Sequence, residues 1–304
     1  MKKALIMAAL AAAVLTVCGG REAKDKQTPA AVVPDTAGTV STDTAANTAI
    51  EAPEVSPSDV SSNPDSIVMV FVEGGTFTMG CTEEQGDDCD SREKPAHNVT
   101  LSRFYLGKYE ITQGQWKAVT DSNPSIFTGN DNLPVDFVSW DDVQEFIRKL
   151  NAKTGKKYRL PTNAEWEYAA RGGNRSKGYK YPGSNTPGDV AWYCADSSHE
   201  DEYEDMIYYG GNSGMKTHLA GTKQPNELGI YDMGGNVSEW VNDWYGTYNT
   251  LSETDPQGPP SGILRVYRGC AYASGVWHCV ASDRFGSAPN NRSSSYGFRL
   301  ALDP

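Results

Sequence analysis

Positive charge is scarce in this chain. Lys and Arg together number 27 against 39 Asp and Glu in 304 residues, for a formal net charge of −12. Nucleic-acid binding rests on cations that neutralise phosphates, so no nucleic-acid partner is expected. Aromatic residues are missing from the N-terminal part: none precedes Phe71, and all 7 Trp and all 16 Tyr follow it. A packed core must therefore come from the later part of the chain. No apolar run after Val17 is long enough to cross a bilayer as a helix. The 4 histidines (His97, His199, His218, His278) have neither zinc spacing nor a three-His iron pattern. Nucleophile-elbow, P-loop and dinucleotide fingerprints are absent as well.

What is present begins with a targeting pattern. Lys2 and Lys3 precede the short apolar stretch Ala4 to Val17, which ends at Cys18. Residues 1–18 resemble a lipoprotein signal in which Cys18 is lipidated, although Val17 departs from the small residue usual there. Ordinary secretion is the alternative, and any membrane attachment is expected through lipid alone. Residues 19–66 are rich in Ala, Thr, Ser, Pro and Asp and bury too little to offset chain entropy, which predicts a disordered tether. Export places the other cysteines in a disulfide-permissive compartment. Cys81 and Cys89 bracket a polar turn and suit a local bridge. Cys194, Cys270 and Cys279 allow one further pair and one thiol, and their spacing does not choose.

From Ile67 onward the pattern is that of one folded domain, 67–304. Ile67 to Val72 and the stretch through Phe77 and Met79 are strand-like, and Leu101 to Tyr109 is expected as a further strand. Thr112 with Gln115 forms a capping box for a short helix carrying Trp116 and Val119. Ser139 caps a helix whose apolar face is Val143, Phe146, Ile147 and Leu150. Thr162 with Glu165 opens a third helix, Ala164 to Arg171, stopped by Gly172 and Gly173. Thereafter Gly, Pro, Asn and Asp predict loops and short strands, and Asp196 to Asp205 is expected as a solvated loop. No internal repeat is visible.

Several motifs in order carry a resemblance. They are Gly75-Thr-Phe-Thr-Met-Gly80, Glu110-Ile-Thr-Gln-Gly-Gln-Trp116, Pro134-Val-Asp-Phe-Val-Ser-Trp140 and the stretch Tyr158 to Gly173. Asn226 to Trp240, Arg268-Gly269 and Gly297-Phe-Arg-Leu300 complete the set. Together they resemble the formylglycine-generating enzyme family, or sulfatase-modifying-factor domain. The resemblance implies an α+β, C-type-lectin-like fold, rich in loops, with short strands and a few short helices. On this reading Trp140, Trp166, Tyr168, Trp240 and Trp244 are buried aromatics, and Arg159, Arg171 and Arg299 tie long loops down.

The resemblance also implies chemistry that can be checked residue by residue. The family enzyme holds copper between two cysteine thiolates, as soft Cu(I) requires. Counted from Arg268, those positions are Ser274 and Cys279, and Cys270 is an extra thiol; copper is therefore not expected. A family calcium site maps onto Asp232 and Glu239 by side chain and Gly235 and Val237 by carbonyl, a donor set of hard oxygens that suits calcium. Cys270 to Tyr296 is the family's ligand face, here with Tyr272, Ser274, Trp277 and His278. The expected function is an exported binding or envelope-assembly protein with a protein or glycan ligand. The alternatives are an oxidase acting through Cys279 at an altered thiol site, in which a Cys270–Cys279 disulfide competes, and a binder diversified by a retroelement.

Overall fold

The computed structural model describes residues 67–86, 89–194 and 211–304. The expected signal at 1–18 with Cys18, the tether at 19–66, His199 and the acidic stretch Asp196 to Asp205 lie outside the described residues.

Among the described residues the chain forms three small sheets against short helices. One sheet has the order β1 (Met69–Val72), β4 (Phe104–Gly107), β11 (Ala301–Leu302), β5 (Tyr158–Arg159), all antiparallel. Two-residue β11 lies between β4 and β5, so residues 301–302 are held between two strands far away in sequence. A second sheet runs β10 (Tyr296–Gly297), β6 (Ser238–Trp244), β8 (Arg265–Arg268), β9 (Arg284–Ser287). The third is β2 (Gly75–Met79), β3 (His97–Leu101), β7 (Glu253–Thr254). The expected single strand from Leu101 to Tyr109 is corrected: it holds the last residue of β3 and the whole of β4, which join different sheets. Ser102 causes the break, because its amide and hydroxyl both donate to the Asp255 carboxylate.

All three capped helices form. In α1 (Gln113–Thr120) the Gln115 amide donates to Thr112 Oγ1 and the Thr112 amide to Gln115 Oε1. Ser139 with Asp142 does the same for α2 (Trp140–Thr154), whose buried face is Val143, Phe146, Ile147 and Leu150 as the periodicity requires. Trp116 stacks on Phe146 with ring centroids 4.9 Å apart, joining α1 to α2. Thr162 and Glu165 cap α3 (Asn163–Ala170), every residue of which is buried. A helix surrounded by protein needs no amphipathic stripe, and this one lies against β2 and β3 of one sheet and β6 and β8 of another, with Ala164, Trp166, Tyr168, Ala169 and Ala170 in one large apolar cluster. A single turn, α4 (Pro187–Val190), was not visible in the sequence. Trp166, Tyr168 and Trp240 are fully buried, whereas Trp140 and Trp244 are half-buried and lie under the Arg265 guanidinium.

Buried arginines hold the loops. Arg268, with no exposed surface, donates to Glu167 Oε2 at 2.6 Å and to the carbonyls of Ala281, Ser282 and Asp283. Glu167, also fully buried, takes Arg171 and the Gly80 amide on its other oxygen. One carboxylate thereby joins α3, the end of β2, β8 and the segment before β9. Arg159 joins Glu165 to Asp303, fixing β5 and the C-terminal residues at one helix start. Removing one partner of a buried pair leaves an uncompensated charge, which costs far more than the pair contributes. Glu167→Gln is expected to lower stability by about 3–5 kcal/mol, read from the shift of the urea unfolding midpoint.

Candidate functional site: a glycine-rich turn and the disulfide-bonded face beside it

The turn Asp232 to Asn236 precedes β6 and is shaped by backbone conformation. Asp232 (φ 58°) and Asn236 (φ 71°) both take the left-handed conformation, which their short polar side chains tolerate. Between them, a Cβ on Gly235 would lie 2.5 Å from the Trp192 amide nitrogen, so only glycine lets this turn approach the 191–192 segment. Asn236 is the organiser. Its amide donates to Trp192 O, its Nδ2 to Glu110 Oε2 and its Oδ1 accepts from the His218 amide. Its carbonyl accepts from the Tyr272 amide, linking the turn to the face beyond β8.

Charge accumulates beneath this turn. Glu239 receives two 2.7 Å bonds from Arg299 and one from Trp166 Nε1. Arg299 also donates to the carbonyls of Gly107 and Tyr231. Glu110 accepts from the Val237 amide, yet burial and then repulsion from Asp232 and Glu239 push its carboxyl well above the usual range. Burial raises Asp232 to about 6, against the bond its Oδ2 accepts from the Gly221 amide. Asp232 Oδ1 is buried with no hydrogen-bond partner. Three carboxylates thus face one guanidinium, with one oxygen unsatisfied. Among the described residues no group of three or more His, Cys, Asp or Glu is disposed to hold a metal, so a cation here would draw on carbonyl oxygens besides Asp232 and Glu239. The sequence reading missed Glu110; it lies 122 residues before Asp232, and only the fold brings it beneath the turn.

Among the described residues there are two disulfides, Cys81–Cys89 and Cys270–Cys279, and Cys194 lies outside both. The second bridge is fully buried and closes the segment that carries Tyr272, Ser274, Trp277 and His278. These four do not form one surface. Tyr272 is buried: its hydroxyl meets Ser294 Oγ at 2.9 Å and its ring packs edge-on against Phe127. Ser274 Oγ accepts from the Ala271 amide and shapes the loop. Trp277 and His278, half-buried, line a cleft of about 260 Å³ with Asp90, Arg92 and Asp283. There His278 Nδ1 lies 2.8 Å from Asp283 Oδ2, Trp277 Nε1 donates to His278 Nε2, and Arg92 reaches Asp283 at 3.0 Å. Both ring nitrogens of His278 are therefore engaged, which suits a fixed recognition surface better than a proton shuttle.

Residues 51–304 match the family described as the sulfatase-modifying factor enzyme 1-like domain. The chain is 34% identical over 242 residues to the chaperone protein LppX of Paenibacillus barcinonensis, covering 68% of this chain and 79% of that one. It is 31% identical to the formylglycine-generating enzyme of Streptomyces coelicolor, over 77% of this chain and 88% of the enzyme. Among solved structures it resembles Treponema denticola variable protein 1, at 31% identity and a TM-score of 0.66, covering 78% and 95% of the two chains. The fold is the one the motifs implied. The disulfide that closes the 270–279 segment is expected to stabilise it; replacing Cys270 and Cys279 together by Ala should cost about 2–4 kcal/mol, measured by thermal unfolding with the Cys81–Cys89 bridge intact.

Proposed function

The chain belongs to the sulfatase-modifying-factor family, and within it we propose a binding or envelope-assembly protein rather than an oxidase. One observation carries this reading. Of the two positions that would hold copper by the family resemblance, one is Ser274 and the other, Cys279, is bonded to Cys270. A serine hydroxyl stays protonated near neutral pH, and a disulfide has no thiolate to offer Cu(I). The relative whose name is a chaperone, and the solved variable protein, support a role in contact with other molecules. Two disulfides support an exported setting. In this proposal Cys18 carries the lipid, residues 19–66 hold the domain away from the membrane, and Trp277 and His278 meet a protein or glycan ligand. Diversification of the 270–296 segment is a narrower form of the same proposal.

We also place one calcium at the turn in this proposal, held by Asp232 and Glu239 with the carbonyls of Gly235 and Val237. The unsatisfied Asp232 oxygen and the surplus of carboxylates over Arg299 support it. Its part would be structural, offsetting like charges beneath the turn. Chelation with EGTA is expected to lower the melting temperature by about 5 °C, restored by excess calcium; an unchanged melt removes calcium from this reading.

The functional test uses a sulfatase-type cysteine peptide, incubated aerobically with the purified protein and Cu(I) and followed by mass spectrometry. No conversion to the aldehyde is expected. Aldehyde that forms with the wild type and is lost in Cys279→Ala would overturn the proposal in favour of the oxidase.

A further inference from the structure

A second cavity lies between the start of α3 and the loop that follows β6, with Arg284 of β9 in its wall. It encloses about 510 Å³, within the range of small-ligand sites of roughly 300–1,000 Å³. The sequence offered no motif for it, because its lining comes from five separate stretches of chain.

The wall holds polar groups in unusual states. Asn163 is 5% exposed; its Nδ2 donates to the Tyr248 hydroxyl, while its Oδ1 is buried with no partner. An acceptor left unmade in a protein interior is costly and rare, and a ligand hydroxyl would satisfy it. Tyr248 accepts the Asn163 bond, so its own proton remains to be given; burial raises this phenol to about 12 and keeps it protonated. Beside it, Asp243 accepts from the Asn163 backbone amide, and burial pushes its carboxyl up to about 7. The Cβ position of Gly258 falls 2.9 Å from Asp243, so the loop is pressed onto this carboxyl with no room for a side chain.

The charges select the ligand by elimination. Arg284, buried under the Tyr248 ring at 3.7 Å and bonded to the carbonyls of Arg92 and Gly246, opposes a cation. Glu253 in the same wall, with Asp243 wherever it is ionised, opposes an anion. What remains is a neutral molecule with several hydroxyls and some apolar surface. Met79, Trp244, Pro256 and Pro259 supply the matching apolar lining.

We propose that this cavity is a binding site for a neutral sugar, with Asn163 Oδ1 and the Asp243 carboxyl accepting from its hydroxyls and the Tyr248 hydroxyl donating to one of its oxygens. The site shares Arg284 with the 270–296 segment but none of Tyr272, Ser274, Trp277 and His278, so its failure leaves the reading of that face standing.

The test is saturation-transfer NMR on the full chain with glucose, galactose, mannose and N-acetylglucosamine, and with glucosamine and glucuronate as charged controls. At least one neutral sugar is expected to bind. Asn163→Leu, which removes the lone acceptor at similar volume, should weaken binding about tenfold, the equivalent of one hydrogen bond. Thr247→Trp, at the exposed rim and outside the internal bonds, should abolish it in a protein whose melting temperature is unchanged. The proposal fails if no neutral sugar binds the wild type, if a charged control binds more tightly, or if binding survives Thr247→Trp.

Discussion

The bidentate bond between Arg299 and Glu239 is the interaction on which the architecture turns. Both side chains are buried, and the same guanidinium also holds the carbonyls of Gly107 and Tyr231. β4, β6, the glycine-rich turn and the C-terminal stretch before β11 are thereby fixed at one point. In a chain whose strands are mostly two to five residues long, sheet hydrogen bonds alone could not register segments so far apart in sequence. A planar five-donor group can, because each carbonyl it reaches has one allowed position. Arg268 repeats the device with Glu167 of α3 as its counter-charge.

This mode of construction explains why sites form where they do. Loops tied to a central guanidinium can be long and still hold a defined shape, so the turn at Asp232, the cleft at His278 and the cavity at Asn163 all lie on loops or element ends. It also concentrates carboxylates in the interior. Arg299 compensates Glu239 well, but Glu110 and Asp232 are bonded to no guanidinium, and burial first, then repulsion from neighbouring carboxylates, raises both carboxyls. The electrostatic surplus under the turn is thus a by-product of how the core is built, and the calcium proposed there would offset it.

The disulfide between Cys270 and Cys279 gives the neighbouring face a different character. With both sulfurs bonded and buried, the segment is a closed loop that presents the Trp277 indole and the His278 imidazole, both half-buried. His278 is held by Asp283 on one side and Trp277 on the other, and Arg92 braces Asp283 from the Cys81–Cys89 region. Such a preorganised polar and aromatic surface loses little freedom on meeting a partner.

The sequence by itself determined the pieces that depend on neighbours within a turn or two. The capping boxes at Thr112, Ser139 and Thr162, the apolar face of α2 and the local Cys81–Cys89 bridge all rest on contacts between residues close in the chain. The family motifs added the overall fold, since their order specifies a known packing. What the sequence could not determine were relations across long separations: Glu110 beneath Asp232, the pairing of Cys270 with Cys279 rather than Cys194, and the division of Leu101 to Tyr109 at Ser102 by a distant Asp255. The burial of Tyr272 and the cavity lined by Asn163 and Asp243 belong to the same group. Each is decided by which loops the buried guanidiniums draw together, and no local pattern records where a loop will be pulled.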